Sequence, residues 1–182
     1  MKELIILGGA NGSGKTTFSK QILAETGFKF LNADEIEKEL AVSKLHAGKE
    51  FFSRLENFIS TDESFVLEST LSGKYLIKII EKAKTKGYVI KIVYIFLENP
   101  QDCIQRIKLR VKLGGHFIPD EDVIRRYYRS KTNFWNVYKK LSDDWVMIYN
   151  STTQEPQIVA VGTGDTFVVE LENIFNIFLN KL

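Results

Sequence analysis

A chain of 182 residues, 44% hydrophobic and 26% charged, has the size and composition of a single globular domain with a substantial core. Its one cysteine, Cys103, excludes an internal disulfide framework and points to a reducing, cytoplasmic setting. No apolar run approaches the roughly 18 residues of a bilayer span, the opening MKELIILGGANG is too short an apolar run for a signal peptide, and a net charge of +2 excludes no partner by itself.

Leu4 to Leu7 reads as a buried strand stopped by Gly8 and Gly9. A helix is expected from about Lys15 to Thr26, with Gly27 as its stop. Phe28 to Leu31 is a second strand. Between Ser43 and Ile59, Leu45, Phe52, Leu55 and Ile59 recur at helical spacing. Phe65 to Glu68 is a third strand, and Leu76, Ile79, Ile80 and Ala83 mark the helix after it, ended by Gly87.

Tyr88 to Leu97 is β-branched and aromatic, the strongest strand signal in the chain. Asn99 and Pro100 suit the cap and first turn of a helix carrying Ile104, Ile107 and Val111 as far as Gly114-Gly115. Pro119 opens a longer helix with Asp120, Glu121 and Asp122 in its first turn and a stripe of Val123, Tyr127, Phe134, Tyr138 and Leu141. Trp145 to Tyr149 is a fifth strand. A hairpin follows across Gly162 to Asp165, and a last helix turns Leu171, Ile174, Phe175, Phe178 and Leu182 inward. Alternating strand and helix predicts an α/β three-layer sandwich: a mostly parallel five-stranded sheet, a C-terminal β-hairpin and a final helix, in one domain over 1–182.

Gly9-Ala10-Asn11-Gly12-Ser13-Gly14-Lys15-Thr16 matches G-x-x-x-x-G-K-[ST] at every fixed position, between a strand and a helix. Glycines let the backbone bring N–H groups against phosphate oxygens, and the following helix points its positive end at the same anion. Lys15 is placed for the β and γ phosphates and Thr16 for Mg²⁺, with Thr17 completing the nucleotide-binding set. No N-K-x-D element for guanine is visible, which tilts the base toward adenine. The stretch Gly162 to Asp165 lacks a basic residue and a following helix and reads as a hairpin turn, and Leu71-Ser72-Gly73 matches only a fragment of the signature of transporter-type ATPases.

Three features separate a transferase from a switch or motor. Asp34 follows the second strand in LNADEI, where residues beyond strand ends line the ligand crevice. A carboxylate there can orient an acceptor hydroxyl and take its proton, or can cap the next helix. Glu68 and Thr70 end the third strand in FVLEST, where Glu68 can hold metal-bound water or a substrate hydroxyl, or sit solvated. From Arg106 to Lys140 ten basic residues face three acids, a local excess of seven. Arg106 with Arg110 and Arg125 with Arg129 share helix faces across the GGHFIP link, which predicts a lid over about 106–130. Arg110 and Arg126 are its candidate phosphate contacts. Lys108, Lys131, Lys139 and Lys140 read as solvated, and His116 as incidental.

GGANGSGKTTFSK, NADEI, FVLESTLSG, YIFLENP and RIKLRVKLGGHFIPDEDVIRRYYRS together resemble the zeta-toxin-like branch of P-loop kinases over roughly residues 3–150. The resemblance includes small bacterial proteins often labelled predicted ABC-type ATPases. It implies a P-loop NTPase fold of the kinase-like kind, using ATP and Mg²⁺. In zeta toxins the acceptor is the sugar 3′-hydroxyl of UDP-N-acetylglucosamine. Carried over by motif, Lys15 and Thr16 hold phosphate and metal, Asp34 is the catalytic aspartate, Glu68 and Thr70 form the E-x-T of substrate recognition, and Arg110 and Arg126 are lid arginines. An antitoxin partner is the further implication. The chain is shorter than those toxins, and its lid sequence belongs to the smaller subgroup. Two other readings stay open: a nucleotide switch or ATPase acting through protein contacts, and a polynucleotide 5′-hydroxyl kinase. The second needs stacking aromatics, and Tyr127 and Trp135 fit a core or flank position better.

Overall fold

Residues 1–150, 155–180 and 182 are described by a computed structural model. The strands are β1 (Glu3–Gly8), β2 (Lys29–Leu31), β3 (Phe65–Ser69), β4 (Val89–Phe96), β5 (Asp144–Tyr149), β6 (Gln157–Thr163) and β7 (Thr166–Val169). The helices are α1 (Lys15–Thr26), α2 (Ala33–Leu40), α3 (Lys44–Ser60), α4 (Leu76–Thr85), α5 (Pro100–Lys112), α6 (Asp120–Asn133), a short α7 (Lys139–Leu141) and α8 (Glu172–Leu179). A π-helical turn, Phe134–Tyr138, joins α6 to α7.

All seven strands form one sheet in the order β2-β3-β1-β4-β5-β6-β7. Every pairing from β2 to β5 is parallel, whereas β6 and β7 pair antiparallel. The expected five-stranded sheet with a separate hairpin is therefore corrected: the hairpin extends the same sheet. Ala160 and Val159 are fully buried, so β6 belongs to the core. After β1 the chain visits β2 and β3 on one side and then crosses to β4 on the other. That reversal opens a crevice at the carboxyl ends of β1, β3 and β4.

Helices cover both faces unequally. On one face Phe18, Ile22 and Leu23 of α1 pack over Ile5, Leu7, Val66 and Ile95. On the other, α3, α4, the π turn and α8 enclose the larger core. Gly27 closes α1 in the left-handed conformation, as its position suggested. Asn99 caps α5 by accepting from the Asp102 N–H at 3.0 Å. Among the described residues no helix is long and apolar enough to cross a membrane.

Four local expectations fail for identifiable reasons. In α3 the buried face is Ala47, Phe51, Leu55 and Ile59, while Leu45 and Phe52 are exposed. A strict spacing of four fits the sheet better than the mixed spacing, and Phe52 packs edge-on to Phe51 and Tyr75 instead. Leu182 is exposed, because α8 has already ended at Leu179. Lys131 and Lys139 are buried rather than solvated. Lys131 donates to the Asn180 carbonyl at 2.9 Å and lies over the Phe178 ring, and Lys139 pairs with Asp165 over Trp135. Finally, the predicted helix from Pro119 is not α-helical throughout, because of the π turn.

Phe134 in that turn is fully buried and stacks on Tyr94 of β4 with centroids 4.1 Å apart and planes 5° from parallel. Phe134→Ala is expected to cost about 3–5 kcal/mol, read as a shifted midpoint in urea unfolding. A loss under about 1 kcal/mol would show that this stack does not anchor the helix layer.

Candidate functional site at the strand carboxyl ends

The loop after β1 is held open by glycine at three positions. Gly9, Gly12 and Gly14 have φ of 145°, 82° and 100°. A Cβ on Gly9 would lie 2.2 Å from the Ile95 carbonyl oxygen, and one on Gly12 would lie 2.6 Å from the Cys103 carbonyl oxygen. The loop backbone is thus pressed against β4 and α5. The Ser13 hydroxyl is buried with no hydrogen-bond partner among the described residues. An anion's oxygens would supply one.

Lys15 begins α1 with its side chain almost wholly buried. Its ammonium donates to the carbonyls of Gly9 at 2.8 Å and Ala10 at 3.0 Å. Burial lowers its pKa from the ordinary lysine value, and Glu68, Cys103 and Asp34 work against that shift. The Thr16 and Thr17 side chains are exposed at the start of the helix.

The opposite wall comes from the ends of β2 and β3. Asn32 caps α2, accepting from the Asp34 N–H at 2.8 Å. Asp34 is therefore not itself the cap; its side chain is exposed and within electrostatic reach of Lys15 and Glu68. Burial pushes the Glu68 carboxyl above its ordinary range; Lys15 draws it back, Asp34 and Glu35 add to the rise, and a bond from the Asn32 side chain lowers it. The Glu68 Oε2 is buried and has no partner among the described residues. Thr70 is turned into its own loop, its Oγ1 2.8 Å from the Ser72 hydroxyl.

The α5–α6 hairpin forms the third wall around a small apolar core of Cys103, Ile107, Ile118, Val123 and Tyr127 against Ala10 and Leu97. Burial pushes the Cys103 thiol up to about 12, so it behaves as a neutral core group. Arg126 donates to the Asn11 side-chain oxygen at 3.2 Å, which brings it onto the phosphate loop. Arg110 reaches the Lys15 region electrostatically and donates to the His116 carbonyl at 3.1 Å. The His116 side chain itself is exposed. Arg125 pairs with Asp122 at 2.7 Å and Lys108 with Asp120 at 3.0 Å, so neither faces the crevice alone.

Glu68, Asp34 and Arg110 thus lie within electrostatic reach of Lys15, Arg126 bonds the same phosphate loop, and Thr70 follows Glu68 by two residues. Two participants were missed. Asn150, directly after β5, donates to the Ser13 carbonyl at 2.7 Å, and its own carbonyl accepts from Arg106 at 2.9 Å. A Cβ on Gly14 would sit 2.3 Å from that Asn150 amide nitrogen. The strand-end rule that singled out Asp34 applies equally to Asn150. Asn32 is the other, legible as a good cap residue one place past β2.

Residues 4–132 match the family described as AAA domain. The chain belongs to that family. A Haemophilus influenzae protein, itself uncharacterised, is 33% identical to this AAA-domain chain over 125 residues, 65% of this chain and 88% of that protein. Among solved structures, a chain of the AvrRxo1-ORF1:-ORF2 complex with ATP superposes with a TM-score of 0.76 at 20% identity. The match covers 97% of this AAA-domain chain but 63% of that one, so the protein spans less than two thirds of that neighbour's length. A chain of the PezAT toxin–antitoxin system of Streptococcus pneumoniae gives 0.70 at 17% identity, covering 100% of this chain and 80% of that one. At such identities the likeness is one of fold, and the P-loop kinase-like fold expected from the motifs is the one present.

Glu68 gives the site a measurable pH signature. The folded carboxyl keeps its proton to higher pH than the unfolded one, whose ordinary value is 4.5. Stability must then fall as pH rises from there through the raised folded value. Without nucleotide, Glu68→Gln is expected to melt higher than the wild type near pH 8, with the gap closing toward pH 4. A gap that does not change with pH would place the Glu68 carboxyl in water.

Proposed function

We propose that the protein is an ATP-dependent phosphotransferase that moves the γ-phosphoryl group onto a hydroxyl of a small acceptor, with a UDP-sugar such as UDP-N-acetylglucosamine first among candidates. The observation that supports this reading is that Asp34 and Glu68 both lie within electrostatic reach of the buried Lys15. A nucleotide switch needs only the loop. Two acids facing a buried phosphate-binding ammonium leave a place where an alcohol can be docked and deprotonated.

The loop glycines and the unpartnered Ser13 hydroxyl fit a polyphosphate. In the resting site Lys15 is occupied by two carbonyls, which phosphate oxygens would replace. Asp34 orients the acceptor hydroxyl and receives its proton. As the acceptor oxygen bonds to the γ-phosphorus, the bond from that phosphorus to the bridging oxygen breaks and ADP leaves. Arg126, already on the loop through Asn11, and Arg110 neutralise charge on the phosphoryl group in transit.

The residues present also fit Mg²⁺, which takes one or two protein oxygens and otherwise phosphate and water. Thr16 would supply the protein oxygen, and the bare Glu68 Oε2 would suit a metal-bound water. Bound there, the ion would screen charge between the β and γ phosphates. Lid motion is assigned to the tip of the α5–α6 hairpin. The Tyr127 hydroxyl fastens α6 to the Leu97 and Glu98 carbonyls at 2.8 and 2.9 Å, so only residues nearer Gly114-Gly115 are free to close.

A cytoplasmic location fits the reduced, buried Cys103. A proteinaceous inhibitor is the proposed partner, since PezAT is by name a toxin–antitoxin system. A polynucleotide acceptor is disfavoured because Trp135 is packed among Trp145, Phe167, Phe175 and Phe178. The test is transfer of labelled phosphate from ATP to a panel of UDP-sugars, nucleosides and RNA 5′ ends. Asp34→Asn is expected to lower transfer by roughly 10²- to 10⁴-fold while leaving ATP affinity nearly unchanged. ATP hydrolysis that needs no acceptor and persists in the variant would favour the switch.

A further inference from the structure

The π turn Phe134–Tyr138 does something that an α-helix could not. Asn133, at its entrance, donates its side-chain amide to the Leu71 carbonyl at 2.8 Å. Tyr138, at its end, donates its hydroxyl to the Gly73 carbonyl at 2.6 Å. These two residues are five apart. With 3.6 residues per turn, positions five apart on an α-helix diverge by roughly 140° and cannot both meet one short loop. A π turn closes its ladder from i to i+5, which brings side chains five apart back toward one face. The widened turn is what lets one helix grip the segment 71–73 at two carbonyls.

That segment directly follows Glu68 and Thr70, and it does not hold its shape unaided. Leu71 is fully buried with φ of +54°, a left-handed conformation that a leucine adopts only under constraint. Its side chain sits over Gly8, where an added Cβ would come within 2.4 Å of the Leu71 Cδ1. The Ser69 hydroxyl accepts from the Leu71 N–H at 3.2 Å and lies 3.2 Å from the Tyr75 hydroxyl. Burial pushes the Tyr138 phenol up to about 12, which keeps its donating proton in place.

Seven residues before Asn133, on the same face of α6, Arg126 bonds the phosphate loop through Asn11. Ser130 between them lies 3.1 Å from the Tyr94 hydroxyl of β4. A single rod therefore touches the phosphate loop at one end and the loop behind Glu68 and Thr70 at the other.

We propose that Asn133 and Tyr138 are positioning residues: through the π turn they fix the loop carrying Glu68 and Thr70 relative to the phosphate loop, and so set how tightly the acceptor is held. This inference rests on the transferase reading for its kinetic consequence but not for its structural one. Neither residue need touch the acceptor.

Two variants test it, Tyr138→Phe, which keeps the ring and deletes one donor, and Asn133→Ala. Backbone hydrogen exchange over residues 69–73 is measured in each without nucleotide, and KM for ATP and for UDP-N-acetylglucosamine with it, or for whichever acceptor the panel identifies. Exchange in that segment is expected to quicken by roughly five- to tenfold, with the rest of the sheet unchanged. The acceptor KM is expected to rise by a similar factor while the ATP KM stays within twofold. Unaltered exchange in both variants would overturn the proposal. So would ATP and acceptor KM rising together, which is what general loosening produces. If the wild type transfers phosphate to nothing in the panel, the transferase reading fails and the exchange result alone judges the clamp.

Discussion

A buried ammonium governs this molecule. Lys15 is taken out of water at the start of α1 and held by two backbone carbonyls of the loop that precedes it. Removing such a charge from solvent costs several kcal/mol unless other groups compensate. Here the compensation is divided between those carbonyls and the carboxylates of Glu68 and Asp34 on the far wall. The loop can bring its carbonyls into range only because Gly9, Gly12 and Gly14 adopt conformations closed to other residues and press the chain against β4 and α5. A polyphosphate entering the crevice would exchange these stand-in acceptors for better ones.

Around that charge the topology does the positioning. The strand order reverses at β1, and the segments after β1, β2, β3, β4 and β5 all begin at the same edge of the sheet. Each contributes one wall or brace: the phosphate loop, Asp34, Glu68, the arginine-bearing hairpin and Asn150. What topology leaves loose, side chains tie. Asn150 braces the loop from the β5 side, Arg126 from α6, and the π turn holds the segment behind Glu68. The three braces come from parts of the sequence 62 to 137 residues away from what they hold.

Most of the frame was legible in the sequence because it rests on local signals. The strand–loop–helix of Leu4 to Thr26, the Gly27 stop and the Asn99-Pro100 start each have a residue-level cause and were found where expected. The places of Asp34 and Glu68 at the ends of β2 and β3 were legible for the same reason, since strand-end positions follow from the strands. What escaped depends on distant partners. Phe52 and Leu45 fit a helical stripe, but the sheet beneath chose Phe51 and Ala47. Lys131 and Lys139 looked solvated until a carbonyl of the C-terminal segment, Asp165 and several rings enclosed them. The π turn leaves no mark in composition or period. It exists because Phe134 stacks on Tyr94 while Asn133 and Tyr138 answer two carbonyls of another loop. Helix α2 was passed over because only Ile36 among its eight residues is buried, too little to make a period.

The most direct measurement is a crystal structure with Mg²⁺, a non-hydrolysable ATP analogue and a sugar nucleotide. The Lys15 ammonium is expected to leave the Gly9 and Ala10 carbonyls for the β and γ phosphates, and an Asp34 oxygen to lie within about 3 Å of an acceptor hydroxyl aimed at the γ-phosphorus. Lys15 remaining on its carbonyls with the phosphates elsewhere, or Asp34 facing solvent with no acceptor between it and the nucleotide, would contradict it.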